Sequence, residues 1–108
     1  MMTWTAEDQK LVTLAKGART RVGAQSGAAL RDTTGRTYAS AEVNTEILNL
    51  TAVQLVVGQA IASGATGIEA VVVCSETAIT EQDRKIISGF SNSAEIYLIN
   101  LAGDHIDS

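Results

Sequence analysis

The chain contains the stretch Asn49-Leu-Thr-Ala-Val-Gln-Leu-Val-Val-Gly-Gln-Ala-Ile-Ala-Ser63, which is followed by Gly64. Its apolar residues recur at positions 50, 53, 56, 57, 60 and 61, the spacing of one face of an α-helix. We predict that Asn49 caps the first turn and that Gly64 ends the helix in the left-handed conformation. Because no charged residue interrupts the stretch, this core helix, residues 49–63, should be buried against a sheet. It is too short and too polar to span a membrane.

Length and composition limit the class of protein. A chain of 108 residues, 45% hydrophobic and 19% charged, indicates a single folded domain over residues 1–108 and excludes disorder. The net charge of −4 and the aromatic content of 4% argue against nucleic acid as a partner, because phosphate binding needs a basic face. The single cysteine excludes an internal disulfide and a thiolate metal cluster. Without a signal-peptide pattern, we expect a cytoplasmic protein that does not bind membranes.

The segments on either side of the core helix alternate between helix and strand patterns. Thr5-Ala-Glu-Asp8 and Thr80-Glu-Gln-Asp83 each place an acidic residue three positions after a threonine, which is a capping-box pattern at a helix start. The β-branched run 68–74 is typical of a strand buried on both faces. The predicted elements are, in order, helix 5–20, strand 26–30, strand 36–43, the core helix, strand 68–74, a helix from Thr80 through Phe90, and strand 95–101.

This order, α-β-β-α-β-α-β, predicts an α/β fold in which helices sandwich a mixed sheet. The first two strands form a β-hairpin around a turn at residues 32–35. The glycine-containing segment 17–27 lacks the Gly-Lys-Ser/Thr ending of a phosphate-binding loop, and we interpret it as a flexible approach to the first strand. The tail that begins at Ala102 should have little to pack against.

Several single side chains are candidates for a role of their own. Cys74 ends an apolar strand, which predicts a small buried residue rather than a nucleophile. His105 lies in the polar tail and should be exposed, and Trp4 should contact the first helix or a neighbouring subunit. We interpret the arginines around the hairpin as solvated groups, the alternative being a basic patch for an acidic partner. They are Arg19, Arg21, Arg31 and Arg36.

Five short strings occur in the order and spacing known from one enzyme family. They are Ser26-Gly-Ala-Ala-Leu30, Thr34-Gly-Arg-Thr-Tyr38, Ala60-Ile-Ala-Ser-Gly64, Val71-Val-Val-Cys-Ser-Glu-Thr77 and Tyr97-Leu-Ile-Asn-Leu-Ala-Gly103. The first resembles a Val-Gly-Ala-Ala-Leu strand, and the last a Tyr-Leu-x-Asn-Leu-x-Gly strand. Over about residues 10–103 the chain is similar to the small, homotetrameric, zinc-dependent cytidine deaminases. The resemblance implies their three-layer α-β-α sandwich with a mixed sheet.

The resemblance also implies where catalytic groups should lie. The family uses three zinc ligands and a glutamate that shuttles protons during attack on cytosine. The ligand positions fall on Thr51, Thr80 and Asp83, and the shuttle position falls on Val53. One carboxylate does not hold zinc, so we predict a degenerate site without metal or other cofactor. Thr80 and Asp83 instead suit a hydrogen-bonded helix start, which predicts a fold that is stable without metal.

Nucleoside-binding positions are only partly kept. The family's ribose-binding Asn-x-Glu pair falls on Ser40-Ala-Glu42, which makes Glu42 and Ser40 weak candidates for ligand binding. The phenylalanine that lines the family's base pocket falls on Ala24. A solvated carboxylate at Glu42 is the simpler interpretation.

These matches and losses lead to a ranked set of functions. The first is a catalytically inactive protein, a pseudoenzyme, that acts as an oligomeric structural or regulatory interaction protein. The family's homotetramers bring their core helices together, so we expect a dimer or tetramer through helix 49–63, with a further protein partner left open. The second is a nucleoside-binding protein with a vestigial pocket. The third is an atypical cytidine deaminase that hydrolyses cytidine to uridine.

Overall fold

The computed structural model describes residues 4–106, so residues 107 and 108 of the predicted tail lie outside the described residues. The seven predicted elements all form, in the predicted order. Three two-residue strands are added to them. The elements are, in chain order, α1 (Ala6–Val22), β1 (Gly27–Asp32), β2 (Thr37–Ala41), β3 (Val43–Asn44), β4 (Asn49–Leu50), α2 (Ala52–Ala62), β5 (Ile68–Cys74), α3 (Glu81–Phe90), β6 (Glu95–Ile99) and β7 (His105–Ile106).

The main sheet has the strand order β2-β1-β5-β6-β7 and is mixed, because β5 and β6 are parallel while the other neighbours are antiparallel. Alternate residues of β5 point to opposite faces. Val71 packs with Val56 of α2 and Ile87 of α3, whereas Val72 packs with Leu11 of α1. The helices therefore cover both faces, and the predicted three-layer α-β-α sandwich is confirmed.

The start of α2 differs from the prediction. Asn49 lies in β4 and pairs with Asn44, and the N-cap is Thr51. Thr51 Oγ1 accepts from the amide of Gln54 at 3.0 Å, and Gln54 Oε1 accepts from the amide of Thr51 at 2.8 Å. This reciprocal box satisfies two backbone donors, which a lone asparagine cap cannot do. The predicted stop is confirmed, because Gly64 has a φ of 95°.

The first helix also runs further than predicted. α1 continues to Val22 and ends at Gly23, so Gly17 lies inside a helix and not in a flexible segment. α1 then packs closely on β1, since a Cβ on Gly27 would overlap the carbonyl oxygen of Ala15. This close approach places the C-terminal half of α1 beside the start of β1 and the end of β5, because Gly27 pairs with Cys74. Within residues 4–106 no helix has both the length and the apolar character needed to cross a membrane.

A small ribbon interrupts the predicted second strand. β2 ends at Ala41, and the chain leaves the sheet after Glu42 to form the two-residue pair of β3 and β4. The turn between them presents Ile47, which is 94% exposed, and Leu48, which is 48% exposed. The predicted strand 36–43 is therefore two pieces.

The tail packs better than predicted. β6 ends at Ile99, and Asn100 Oδ1 accepts from the amides of Ala102 and Asp104, which turns the chain back as β7. His105 is exposed, as predicted, yet its ring lies 5.8 Å from that of Trp4, centroid to centroid. Trp4 also meets Tyr97 of β6 at 5.2 Å in an edge-on arrangement, and this three-ring contact anchors the tail.

The arginines do not form one basic patch. Arg31 is 8% exposed, and its Nη2 lies 3.0 Å from Asp8 Oδ1 and 2.9 Å from Glu69 Oε1. The interpretation of Arg31 as a solvated group is thus wrong, because β1 is covered on both faces and its arginine must be paired. Arg21 and Arg36 are exposed.

Candidate functional site

A cavity of about 510 Å³ opens at the end of β5, beside the starts of α2 and α3 and the end of α1. Its volume falls within the range of small-molecule sites. It also lies outside the carboxyl end of a parallel strand, where open α/β sheets commonly bind ligands. The lining residues with functional interest are Arg19, Ser26, Glu42, Thr51, Val53, Ser75, Glu76, Thr80 and Asp83.

Local structure after β5 brings the start of α3 to this cavity. The amide of Ser75 donates to the carbonyl of Ile99, which keeps the end of β5 beside β6. Ser75 Oγ then accepts from the amide of Thr77 at 3.1 Å and closes a short hydroxyl turn. The chain reaches Thr80, whose Oγ1 accepts from the amide of Asp83 at 3.1 Å and caps α3. The predicted cap at Thr80 is confirmed.

The three positions matched to zinc ligands come together at the floor of the cavity. Thr51 Oγ1 donates to Asp83 Oδ1 at 3.0 Å while it accepts from the amide of Gln54. Asp83 is 7% exposed, so its carboxylate is largely removed from solvent. Asp83 therefore connects the two helix starts, because its carboxylate accepts from Thr51 and its backbone amide donates to Thr80.

Val53, matched to the proton-shuttle position, also lines the cavity. It is 1% exposed and belongs to the core between the sheet and α2. An aliphatic side chain neither accepts nor donates a proton. The wall beside Thr51 is therefore apolar.

Of the two ligand-binding candidates, only Glu42 lines the cavity. Its Oε1 accepts from the hydroxyl of Ser26 at 3.1 Å. Ser40 is half-buried in β2 and donates to the carbonyl of Ala41 at 2.9 Å. Ser26 was not among the predicted site residues, although the hairpin register places it opposite Glu42, and the amide of Glu42 donates to the carbonyl of Ser26.

Arg19 is a second lining residue that sequence patterns did not single out as part of a site. Its Nε is buried and has no hydrogen-bond partner among residues 4–106.

Cys74 lies near this arginine at the end of β5. Burial raises the pKa of the Cys74 thiol, although the positive charges of Arg19 and Lys16 oppose the shift. Cys74 is 0% exposed and donates to the carbonyl of Asn100 at 3.5 Å. The prediction of a buried cysteine is confirmed.

Zinc, which the family resemblance implies, does not fit the donor set at the cavity floor. Structural and catalytic zinc sites use thiolates, imidazoles and carboxylates, whereas two of the three donors here are neutral hydroxyls. Those hydroxyls already accept from backbone amides, as shown for Thr51 and Thr80. Within residues 4–106 no group of three or more His, Cys, Asp and Glu side chains could hold a metal ion.

Comparisons with known proteins agree with this architecture. A family model described as cytidine deaminase-like matches residues 4–103. No curated protein sequence matches the chain. The cytidine deaminase from Burkholderia pseudomallei is similar, with a TM-score of 0.76 and 23% identity over 95% of this chain and 91% of that chain.

Two further solved structures are similar. The cytidine deaminase from Mycobacterium tuberculosis has a TM-score of 0.68 and 20% identity, covering 88% of this chain and 85% of that chain. The cytidine deaminase from Mycobacterium leprae has a TM-score of 0.65 and 18% identity, covering 92% of both chains. At these identities the likeness shows a common fold.

Proposed function

Because this chain belongs to the cytidine deaminase-like family, we propose that it is a member that has lost catalysis and zinc. In this proposal it acts in the cytoplasm as an oligomeric structural or regulatory interaction protein. The hydrogen-bonded floor of the cavity is the observation that carries the proposal. The Asp83 carboxylate accepts there from Thr51, the Asp83 amide donates to Thr80, and the neighbouring Val53 is apolar.

Hydrolytic deamination requires a source of hydroxide at neutral pH. Zinc supplies it by lowering the pKa of a bound water to about 7. The cavity's carboxylates belong to Glu42, Glu76 and Asp83. Glu42 accepts from Ser26 and Asp83 accepts from Thr51, so both are engaged in structural hydrogen bonds. The described cavity lining contains neither cysteine nor histidine.

A turnover assay tests the proposal directly. Cytidine conversion to uridine is followed by absorbance for the purified chain, with and without added zinc, and its metal content is measured in parallel. The cytidine deaminase from Burkholderia pseudomallei serves as the positive control. We expect no conversion and no bound metal. Conversion that depends on added zinc would replace the proposal with the atypical-deaminase function.

Oligomerisation is the part of the proposal that concerns α2. Its outer face carries no charge, and Ile61 is 48% exposed there. An uncharged helix face with an exposed isoleucine favours contact with a second copy, because charged residues are depleted in interface cores. Native mass spectrometry should show a dimer or tetramer that Ile61→Glu dissociates. Val22→Glu changes an apolar residue of α1 that is 67% exposed, and it is the matched control. A wild-type monomer would contradict the oligomer.

Nucleoside binding without turnover is the second candidate, favoured by the cavity volume of about 510 Å³ and by the orientation of Glu42. A carboxylate held by Ser26 is positioned to accept from a sugar hydroxyl. Calorimetric titration with cytidine and uridine tests this function. We expect Glu42→Gln to weaken binding and Glu46→Gln, an exposed residue of the β3–β4 ribbon, to leave it unchanged. Equal binding by both variants would exclude Glu42 as a ligand contact.

A further inference from the structure

We infer that the cavity at the end of β5 binds a small zwitterion of the amino-acid class, with Arg19 contacting its carboxylate and Glu42 contacting its ammonium group. The inference goes beyond the proposed function, because it assigns a ligand to a protein that is proposed to have lost catalysis. It also differs from the nucleoside-binding candidate in the charge of the ligand, since cytidine and uridine carry neither a carboxylate nor an ammonium group.

Arg19 brings to the cavity a positive charge that the protein does not pair. Within residues 4–106 its Nε is buried without a hydrogen-bond partner, and no ion pair includes it. Buried polar atoms normally have a partner, so this donor requires an explanation. The side chain as a whole is half-buried, which leaves its terminal nitrogens as the part that can meet a ligand. A guanidinium matches a carboxylate, because its planar fork of donors can make two parallel hydrogen bonds.

Close packing of α1 on β1 fixes the place of Arg19. A Cβ on Gly27 would lie 3.1 Å from Arg19 Cβ and 3.0 Å from its backbone nitrogen. Gly27 follows Ser26, whose hydroxyl donates to Glu42 Oε1 at 3.1 Å. Arg19 and Glu42 therefore border the same end of β1 and line the same cavity, yet neither is in an ion pair within residues 4–106.

The balance of charge in the cavity lining discriminates between classes of ligand. Among the described lining residues Arg19 is the single cation, whereas Glu42, Glu76 and Asp83 are carboxylates. A phosphate would meet three like charges and one partner, which disfavours it. A ligand with a positive charge alone would leave Arg19 unpaired. A zwitterion meets both requirements, because its carboxylate pairs with Arg19 and its ammonium group donates to Glu42.

The remaining wall of the cavity indicates the body of the ligand. Val53, Val73 and Ile79 line it, and the volume of about 510 Å³ accommodates more than the two charged groups. Contact with this wall removes apolar surface of the ligand from water, which favours an uncharged aliphatic side chain. An aliphatic α-amino acid has this combination of groups, and L-leucine is the first probe.

A series of ligands that differ in charge tests the assignment. The purified full chain is titrated by calorimetry with L-leucine, with isocaproate, which lacks the ammonium group, and with L-leucinamide, which lacks the carboxylate. We expect L-leucine to bind about tenfold more tightly than either, because each loses one charge-assisted hydrogen bond. The other standard amino acids are screened by thermal shift, and the series is repeated with the amino acid that binds most tightly.

Variants of the two contact residues assign each charge to its partner. Arg19→Gln should weaken L-leucine binding about tenfold and leave L-leucinamide binding unchanged, and Arg19→Lys should restore part of the loss. Glu42→Gln should weaken L-leucine and L-leucinamide but not isocaproate. Arg21→Gln is the matched control, because it removes an exposed arginine of α1 that does not line the cavity. Circular dichroism verifies that each variant is folded.

Three outcomes would overturn the inference. One is that no amino acid binds to the folded chain, and another is that Arg19→Gln and Arg21→Gln bind L-leucine equally well. The third is tighter binding of inorganic phosphate than of any amino acid. None of these outcomes bears on the cytidine turnover assay or on the oligomeric state, so the inference and the proposed function can fail separately. Cytidine binding that depends on Glu42 but not on Arg19, without amino acid binding, would favour the nucleoside candidate instead.

Discussion

The starts of α1 and α3 carry the same Thr-x-x-Asp pattern, and the fold uses the two aspartates differently. Thr5 Oγ1 accepts from the amide of Asp8, as Thr80 Oγ1 accepts from that of Asp83. Asp8 is 9% exposed and Asp83 is 7% exposed. Yet Asp8 lies 3.0 Å from the guanidinium of Arg31, whereas Asp83 accepts from the neutral hydroxyl of Thr51.

The difference shows that a local motif determines where a helix begins. The element that faces the acidic residue determines how much that residue contributes to stability. At α1 the partner is a buried charge that must stay paired. At α3 the partner is a hydroxyl that loses only one hydrogen bond when the carboxylate is removed. Substitutions at matching positions should therefore have unequal effects.

Asp8→Asn should have the largest effect. It removes the charge that faces Arg31, whose Nη1 is already buried without a partner among residues 4–106. Arg31 would then depend on Glu69, whose side chain is 55% exposed. We expect a loss of about 3 kcal/mol in the free energy of unfolding, measured in urea. Asp83→Asn is the matched change, with an expected loss below about 0.5 kcal/mol. Equal losses at the two positions would remove the contrast.

Asp32 is a third buried aspartate, and it allows the contribution of hydrogen bonds to stability to be measured apart from that of an ion pair. Asp32 is 1% exposed, and hydrogen bonds from the hydroxyl of Thr34 and from backbone amides lower its pKa below the ordinary 3.8, although burial opposes this. The folded-state pKa is thus below the unfolded one. Its stabilising contribution is complete above about pH 4 and is lost as pH falls through the folded-state pKa.

Melting curves between pH 6 and 2.5 measure this contribution. Asp32→Asn should be less stable than the wild type at pH 6 and should approach it at the acid end. Asp83→Asn is the comparison variant. A wild type and an Asp32→Asn variant with parallel pH profiles would show that Asp32 titrates alike in both states.

The caps themselves should be equal. Thr5→Val and Thr80→Val each remove one hydroxyl that accepts from a backbone amide, at 3.0 Å and 3.1 Å respectively. We expect each to cost about 1 kcal/mol in urea unfolding. The corresponding Thr→Ser variants keep the hydroxyl acceptor and are the matched controls. A much larger loss for Thr80→Val would mean that Thr80 contributes to the stability of the fold beyond its cap.

The smallest effects should come from the exposed ion pairs of the same two helices. Lys10 lies 3.7 Å from Glu7 in α1, and Lys85 lies 3.6 Å from Glu81 in α3, with all four side chains at least 60% exposed. Lys10→Ala and Lys85→Ala should each change stability by less than about 0.5 kcal/mol, and 1 M salt should remove the difference. Changes above 1 kcal/mol would show that these surface pairs act as more than solvated charges.

Local patterns were enough to predict the helices, the hairpin and the caps at Thr5 and Thr80, because these depend on residues close in sequence. The prediction of Asn49 as the cap of α2 is wrong, although Thr51 and Gln54 provide a capping box in the same stretch. That signal was present in the sequence. The sequence also contains a signal for the turn at Asn100, because asparagine and a glycine with positive φ, here Gly103, are common turn residues.

The features that sequence could not provide join distant segments. The bond from Thr51 to Asp83 spans 32 positions, and the pair of Asp8 and Arg31 spans 23. Which acidic residue meets a cation and which meets a hydroxyl depends on the packing of α1 and α3 against opposite faces of the sheet. Neither periodicity nor spacing in the sequence indicates which partner each aspartate will have. For the cavity, the family resemblance predicted Thr51, Val53, Thr80 and Asp83, while Ser26 and Arg19 were recognised as lining residues only in the structure.

Trp4 is the sole tryptophan of the chain, and its ring lies 5.2 Å from that of Tyr97 and 5.8 Å from that of His105. The molecule therefore carries an intrinsic optical probe at the place where α1 begins and β7 docks. Excited Tyr97 should transfer its energy to Trp4 most efficiently while those segments are packed together. Emission at tryptophan wavelengths would then follow the release of the two ends, and circular dichroism would follow the helices, so comparing the two signals would reveal whether the ends detach before the core melts.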